Sequence, residues 1–252
     1  MYLLNFPGHT TEYHSFVMHE FELDGCPCKV IEPANPLPGK RWIWKAEYFE
    51  AFPCFELEML NRGYYFVFMQ IPYECGSPRS LAHWDHFYHF LTVERGFDPK
   101  PILFGLSVGG LYIYNWTVKN TDKVGCIYAD NPVCDFKSWP GAKGASAGDP
   151  EHWKRMIQAY GFADEAEAMN WKYNPKDNLE PLIKAGIPLI HAAATDDTTV
   201  PIKENTDLLE KNCLALGGSI QVFRHPGEHH PHHAVADLSA LCDVIEKAAL
   251  RR

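Results

Sequence analysis

The sequence predicts an α/β fold with a mostly parallel central sheet and helices on both of its faces. Three observations carry this reading. Short apolar runs alternate along the chain with longer segments of helical periodicity. Several of these runs are apolar at nearly every position, the pattern of strands covered on both sides. The total of 252 residues, 46% hydrophobic and 22% charged, suits one large domain, so residues 1–252 are read as a single unit.

The elements follow in chain order. Residues 15–23 alternate apolar and polar, Asp24-Gly25 turns the chain, and residues 26–31 return, which signals a β-hairpin. Further strands are expected at 41–45, 64–70, 102–106, 124–128, 187–193 and 219–223. A helix opens at Pro53 and closes at Gly63, matching the preference for Pro at a helix start and Gly after its end. Two more are expected over 80–94 and 108–120. Asp149 and Pro150 cap a fourth that stops before Gly161. Residues 203–216 and 234–250 complete the helices. After the sixth strand the rhythm breaks. Residues 131–186 hold a Gly-rich loop, WPGAKGASAGDP, and short helices, and an insertion of this length beside a sheet predicts a lid.

Composition narrows the function. A formal net charge of −9 without a Lys/Arg cluster argues against nucleic acid and anionic membranes as partners. No apolar run reaches the length of a membrane span. The opening residues MYLLNFPGHTTEYH lack a basic region followed by a long apolar one, so a cytoplasmic location is expected. The eight cysteines are scattered through apolar segments of a long chain, which predicts free buried thiols. The Cys26-Pro27-Cys28 fragment has no second pair to complete a metal site.

The stretch ILFGLSVGGLYIYNW carries the chemistry. Gly105-Leu106-Ser107-Val108-Gly109 fits Gly-x-Ser-x-Gly, and the serine falls where a strand ends and a helix begins. A serine on so sharp a turn is held in a strained conformation above the sheet. Glycines two residues to either side keep side chains clear of neighbouring backbone. Ser107 is therefore the candidate nucleophile. A serine nucleophile needs a base and a group to orient that base. An acid is expected in IPLIHAAATDDTTVP, just past a strand end, at one of the adjacent Asp196 and Asp197. The base is expected in FRHPGEHHPHHAVADL, at His229 with His230 as the second choice. Five histidines in this tract also raise a metal reading, but no carboxylate-rich partner accompanies them, and neither metal nor cofactor is expected. An oxyanion needs two backbone N–H donors. One is expected at Val108. The other is expected near Trp44, Lys45 and Ala46, in KRWIWKAEYFE. Trp42 and Trp44 share one face of that strand, and Trp42 is a candidate substrate contact, with core packing the alternative.

The elbow, the Asp-x-x-Val-Pro loop and the late histidine cluster resemble the serine hydrolases of the α/β-hydrolase superfamily. More narrowly, the blocks PLPGKRWIWKAEYF, GLSVGGLYIYNW, YADNPVCDFKSWPG and GEHHPHH are similar to bacterial carbohydrate-esterase-like α/β-hydrolases of polysaccharide-degrading systems. The resemblance implies Ser107 as nucleophile, Asp197 as acid and His229 as base, with Asp130, Lys137 and Trp139 at the cleft rim. It implies removal of an acyl (acetyl) or methyl ester group from a carbohydrate, the partner being a small or oligosaccharide ester. A small-molecule carboxylesterase or thioesterase is the neighbouring alternative, and a catalytically silent binding module is the alternative from another class. Many of the resembled proteins carry arginine where this chain has Val108 and Lys45, so a different substrate preference is expected.

Overall fold

The computed structural model describes residues 5–72, 75–229 and 235–250. One nine-stranded sheet runs through it in the order β1-β2-β3-β5-β4-β6-β7-β8-β9. The strands are β1 (His9–Tyr13), β2 (Phe16–Leu23), β3 (Cys26–Ile31), β4 (Trp42–Ala46), β5 (Tyr65–Met69), β6 (Ile102–Leu106), β7 (Cys126–Asp130), β8 (Leu189–Ala194) and β9 (Ile220–His225). β1, β2 and β3 pair antiparallel, β3 pairs antiparallel with β5, and every pairing from β5 to β9 is parallel. The hairpin expected around Asp24-Gly25 is the β2–β3 pair. β1 was not expected. Four of its five residues are exposed, so it lacks the apolar alternation by which a strand is read.

Alternation within the central strands sends side chains to two cores. On one face, α1 (Cys54–Asn61) and α8 (Leu238–Leu250) bury Phe55, Met59, Leu241 and Ile245 against Ile43, Phe66 and Phe104. On the other face lie α2 (Pro78–His89), α3 (Gly109–Lys119), α6 (Glu180–Lys184) and α7 (Thr206–Ala215). They pack Trp84, Trp116, Leu182 and Leu209 on Trp44, Val67 and Leu103. The second helix was expected to run on to residue 94. It leaves α geometry at His89, and residues 90–94 form a π turn.

Two helices, α4 (Pro150–Tyr160) and α5 (Glu165–Asn170), belong to the segment between β7 and β8. Asp149 caps α4 by accepting from His152 N–H, and Gly161 ends it in the left-handed conformation, as the sequence signals require. This segment has its own core of Phe136, Trp153, Met156 and Ala168, continuous with Val108 and Val200. The cysteines are free thiols, seven buried and Cys54 partly so.

Candidate active site

The elbow is built by backbone contacts. Ser107 sits at φ +48, directly after β6. Its N–H donates to Asp130 O at 3.0 Å, and its carbonyl accepts from Val133 N–H at 2.8 Å. These two bonds offset the cost of a left-handed non-glycine residue, on the order of 1–3 kcal/mol. The flanking glycines are dictated by space. A Cβ on Gly105 would lie 2.7 Å from the Gly109 backbone, and one on Gly109 would lie 2.7 Å from Ala46 O. The first turn of α3 is therefore pressed against both β6 and the end of β4.

His229 joins two distant parts of the chain. Its Nε2 lies 2.9 Å from Ser107 Oγ, and its Nδ1 lies 2.6 Å from Asp197 Oδ2. A carboxylate accepting from Nδ1–H leaves the Nε2 lone pair directed at the serine hydroxyl. Asp197 is itself oriented, because its Oδ1 accepts from Thr199 N–H at 2.9 Å and Val200 N–H at 2.7 Å. Asp196, the alternative acid, accepts instead from Gly227 N–H and the Thr195 hydroxyl. His230, the alternative base, lies outside the described residues, as do His232 and His233.

The sequence missed Asn131. It follows β7 at φ +43 and is buried. Its Nδ2 donates to His229 O at 3.2 Å, and its Oδ1 accepts from Ala194 N–H at 2.7 Å. One side chain thus ties the histidine loop to the end of β8. The signal available was an Asn directly after a buried strand, a residue type that tolerates left-handed backbone.

Several expected positions need correction. Trp44 and Lys45 lie inside β4, paired on one side with Val67 and Phe68 and on the other with Leu103 and Phe104. Their N–H groups serve a ladder with strands on both sides and have no freedom to hold an oxyanion. The Trp44 ring stacks on Trp84 at 4.0 Å between centroids, deep in the core. The Lys45 ammonium is fully buried, bonded to Glu56 and, at 2.8 Å, to Ala51 O. Trp42 is also core, and its Nε1–H donates to Asp98 O, so it is no substrate contact. Asp130 is not at a rim either. Its carboxyl is buried beside the Tyr128 hydroxyl, and burial pushes its pKa well above the ordinary range. The alternation of β7 sends it inward with Cys126 and Tyr128. Lys137 and Trp139 are partly exposed on the insertion. Lys137 Nζ donates to Trp171 O at 2.7 Å, and Trp139 packs beside His152 at 5.5 Å between rings.

Val108 keeps its expected place as the residue after the serine, at the N-terminus of α3. Among the described residues its N–H has no acceptor. The same holds for the N–H of Glu47, the first residue beyond β4. Glu47 at φ +61 and Tyr48 at φ +53 form a left-handed pair at the strand end. Burial pushes the Glu47 carboxyl up to about 7, against the opposing effect of a hydrogen bond from the Tyr112 hydroxyl.

No protein-family model and no curated protein sequence matches the chain. Solved structures do. A Bacteroides ovatus protein assigned as a dipeptidyl aminopeptidase IV superposes with a TM-score of 0.66 at 15% identity, over 94% of this chain and 36% of its own. The Pyrococcus horikoshii acylaminoacyl peptidase superposes with a TM-score of 0.67 at 16% identity, over 92% of this chain and 42% of its own. An acylaminoacyl peptidase bound to Z-Gly-Gly-Phe-chloromethyl ketone gives 0.67 at 17% identity, over 92% and 41%. The chain spans about two fifths of the length of these proteins. At such identities the likeness is one of fold, and that fold is the α/β-hydrolase fold.

Proposed function

We propose that this chain is a serine hydrolase acting on carboxylic esters, with acyl (acetyl) or methyl esters of carbohydrates as its substrate class. The observation that carries the catalytic part is the hydrogen-bonded chain from Ser107 through His229 to Asp197. In this mechanism His229 Nε2 takes the hydroxyl proton as Ser107 Oγ attacks the ester carbonyl. Asp197 holds the imidazole in the required tautomer and stabilises the imidazolium. The N–H groups of Val108 and Glu47 receive the oxyanion. His229 then protonates the departing alkoxide, and a water, activated by the same nitrogen, hydrolyses the acyl-enzyme. The carbohydrate part rests on the sequence blocks described above.

A second reading, peptide cleavage, is favoured by the named activities of the structural neighbours. The two are separated by measuring p-nitrophenyl acetate against acylaminoacyl and dipeptidyl p-nitroanilides, in wild type and Ser107→Ala. Ester turnover that vanishes in Ser107→Ala, with anilides uncleaved, supports the ester reading. Anilide turnover that equals or exceeds ester turnover transfers the proposal to peptides. Turnover that survives Ser107→Ala in a contamination-free preparation refutes both.

A further inference from the structure

Residues 130–133, which lead out of β7, touch both groups of the candidate proton transfer. They grip Ser107 from two sides, since its N–H donates to Asp130 O at 3.0 Å and its carbonyl accepts from Val133 N–H at 2.8 Å. They also lie against the first turn of α3, where a Cβ on Gly110 would come within 2.7 Å of Pro132 Cβ and Val133 O. Between these contacts sits Asn131, 4% exposed and at φ +43. Its N–H donates to Ala192 O at 2.9 Å, which fixes it to β8. Its side chain accepts from Ala194 N–H at 2.7 Å and donates to His229 O at 3.2 Å. A main-chain N–H can only donate and a carbonyl can only accept, so these partners fix which way the carboxamide lies.

We infer that Asn131 is a positioning residue for the base: its carboxamide sets the main chain of His229 against the short segment that holds Ser107, and so sets the 2.9 Å approach of Nε2 to Oγ. This rests on the serine-hydrolase reading. The loop that carries His229 is tied earlier at Gly227, whose N–H donates to Asp196 Oδ2 and whose carbonyl accepts from Asp196 N–H, both at 2.9 Å. Those bonds locate the loop two residues before the histidine, and the bond from Asn131 locates the histidine itself. Nucleophile and base are 122 positions apart in the chain, yet their main chains are held by the consecutive residues Asp130 and Asn131. A strand end that needed only an acceptor for Ala194 N–H would be served equally by aspartate. Asparagine adds the donor that the His229 carbonyl requires, and it tolerates the left-handed backbone. An error of about 1 Å in the placing of a catalytic group can cost on the order of 100-fold in rate.

The test compares wild type with Asn131→Gly, Asn131→Asp, His229→Ala and the Asn131→Gly/His229→Ala double variant. Glycine accepts the left-handed backbone and removes both side-chain bonds. Aspartate, read at pH 9 in its ionised form, keeps the acceptor for Ala194 N–H and has no hydrogen for His229 O. Read-outs are kcat and KM for p-nitrophenyl acetate and the rate at which a fluorophosphonate labels Ser107. Asn131→Gly and Asn131→Asp are each expected to lower kcat by roughly 10- to 100-fold, with KM within about twofold, and to slow labelling in parallel. In the His229→Ala background, with labelling followed over hours, Asn131→Gly should slow it by less than about threefold, the sign of a residue that acts through the histidine. A folded Asn131→Gly with wild-type kcat overturns the inference, as does a change confined to KM or a full loss that persists without the imidazole. If Asn131→Gly does not fold, Asn131→Asp decides, and a folded Asn131→Asp with unchanged kcat at pH 9 overturns it. A wild type that is not labelled at Ser107 refutes the serine-hydrolase reading instead, a result distinct from labelling that is indifferent to Asn131.

Discussion

Glu47→Gln is expected to stabilise the fold increasingly as pH rises. Burial is the main cause that raises the Glu47 carboxyl from 4.5 to about 7, and the Tyr112 hydroxyl only partly opposes it. The folded chain therefore holds this proton more tightly than the unfolded chain does. Below about pH 4.5 the carboxyl is protonated in both states, and the stabilising effect of proton binding is complete. Between about 4.5 and 7 the unfolded chain ionises first, so stability falls as pH rises. Above about 7 both states are ionised and the loss is complete. A rise of this size corresponds to about 3 kcal/mol in total. Between pH 5 and pH 8.5 the share gained by the variant is about 2–3 kcal/mol, because glutamine has no charge to bury. For a chain of this length that is roughly 5–10 °C in Tm. Asp130 and Glu56 are raised by burial too, but they are present in both proteins and cancel in the difference. The assay is differential scanning calorimetry of wild type and variant in matched buffers from pH 5 to pH 8.5. A Tm difference independent of pH, or one that turns against glutamine as pH rises, would refute the assignment of a buried, reluctantly ionised carboxyl to Glu47.

Two further expectations test the site. Asp197→Asn keeps the volume but donates where a carboxylate accepted, so His229 turns to the wrong tautomer. Ester kcat should fall on the order of 10⁴-fold, the scale seen when serine proteases lose this charge, with little change in Tm. Asp130→Asn should leave KM unchanged, because the carboxyl faces the core and not a substrate, and should raise Tm above neutral pH for the reason given for Glu47. A large KM effect measured in that variant would return Asp130 to the cleft.

The sequence made the frame legible because parallel strands and their helices leave strong local marks. Apolar runs, an Asp-Gly turn, Pro-first and Gly-after helices and the Gly-x-Ser-x-Gly elbow all depend on neighbours within a few positions. Apart from β1, the strands that pair across the sheet were each readable alone. What was not legible depended on which way a side chain turns. Asp130 and Trp42 were placed toward substrate, but both lie on central strands whose two faces are each covered by a core, so either face of the pleat buries them. The second oxyanion donor was expected at Trp44, Lys45 or Ala46, one to three residues before the proposed Glu47, because an apolar strand shows poorly where its ladder ends. β4 continues through Ala46, and the free N–H comes at Glu47. Asn131 went unread because its work is done for His229, 98 positions away.

The segment after β7 offers the last expectation, on motion. A lid that opens readily has few buried apolar contacts and weak ties to the frame. Residues 131–149 have the opposite character. Asn205 on the β8–α7 connection accepts from Cys134 N–H at 2.8 Å and Asp135 N–H at 3.2 Å. Glu204 accepts from the Ser138 hydroxyl and from Ala145 N–H. Ser146 Oγ donates to Thr199 O at 2.6 Å, two residues from the acid Asp197. The first part of the insertion is thus laced to the same loop that orients His229, and moving it would disturb the acid. These ties predict a fixed wall here, with any opening confined to α4 and α5, which meet the rest of the chain through Trp153 and Met156 and through the Tyr160 hydroxyl, which accepts from Asn115 Nδ2 and donates to Cys75 O. Native-state hydrogen exchange should find the amides of Cys134 and Asp135 protected nearly as long as those of β7. Asn205→Ala, which removes their shared acceptor, should speed their exchange and lower ester kcat together. Rapid exchange of these amides in the wild type, with full protection of β7, would mean that the segment opens as a whole and that the hydrogen bonds to Asn205 do not anchor it.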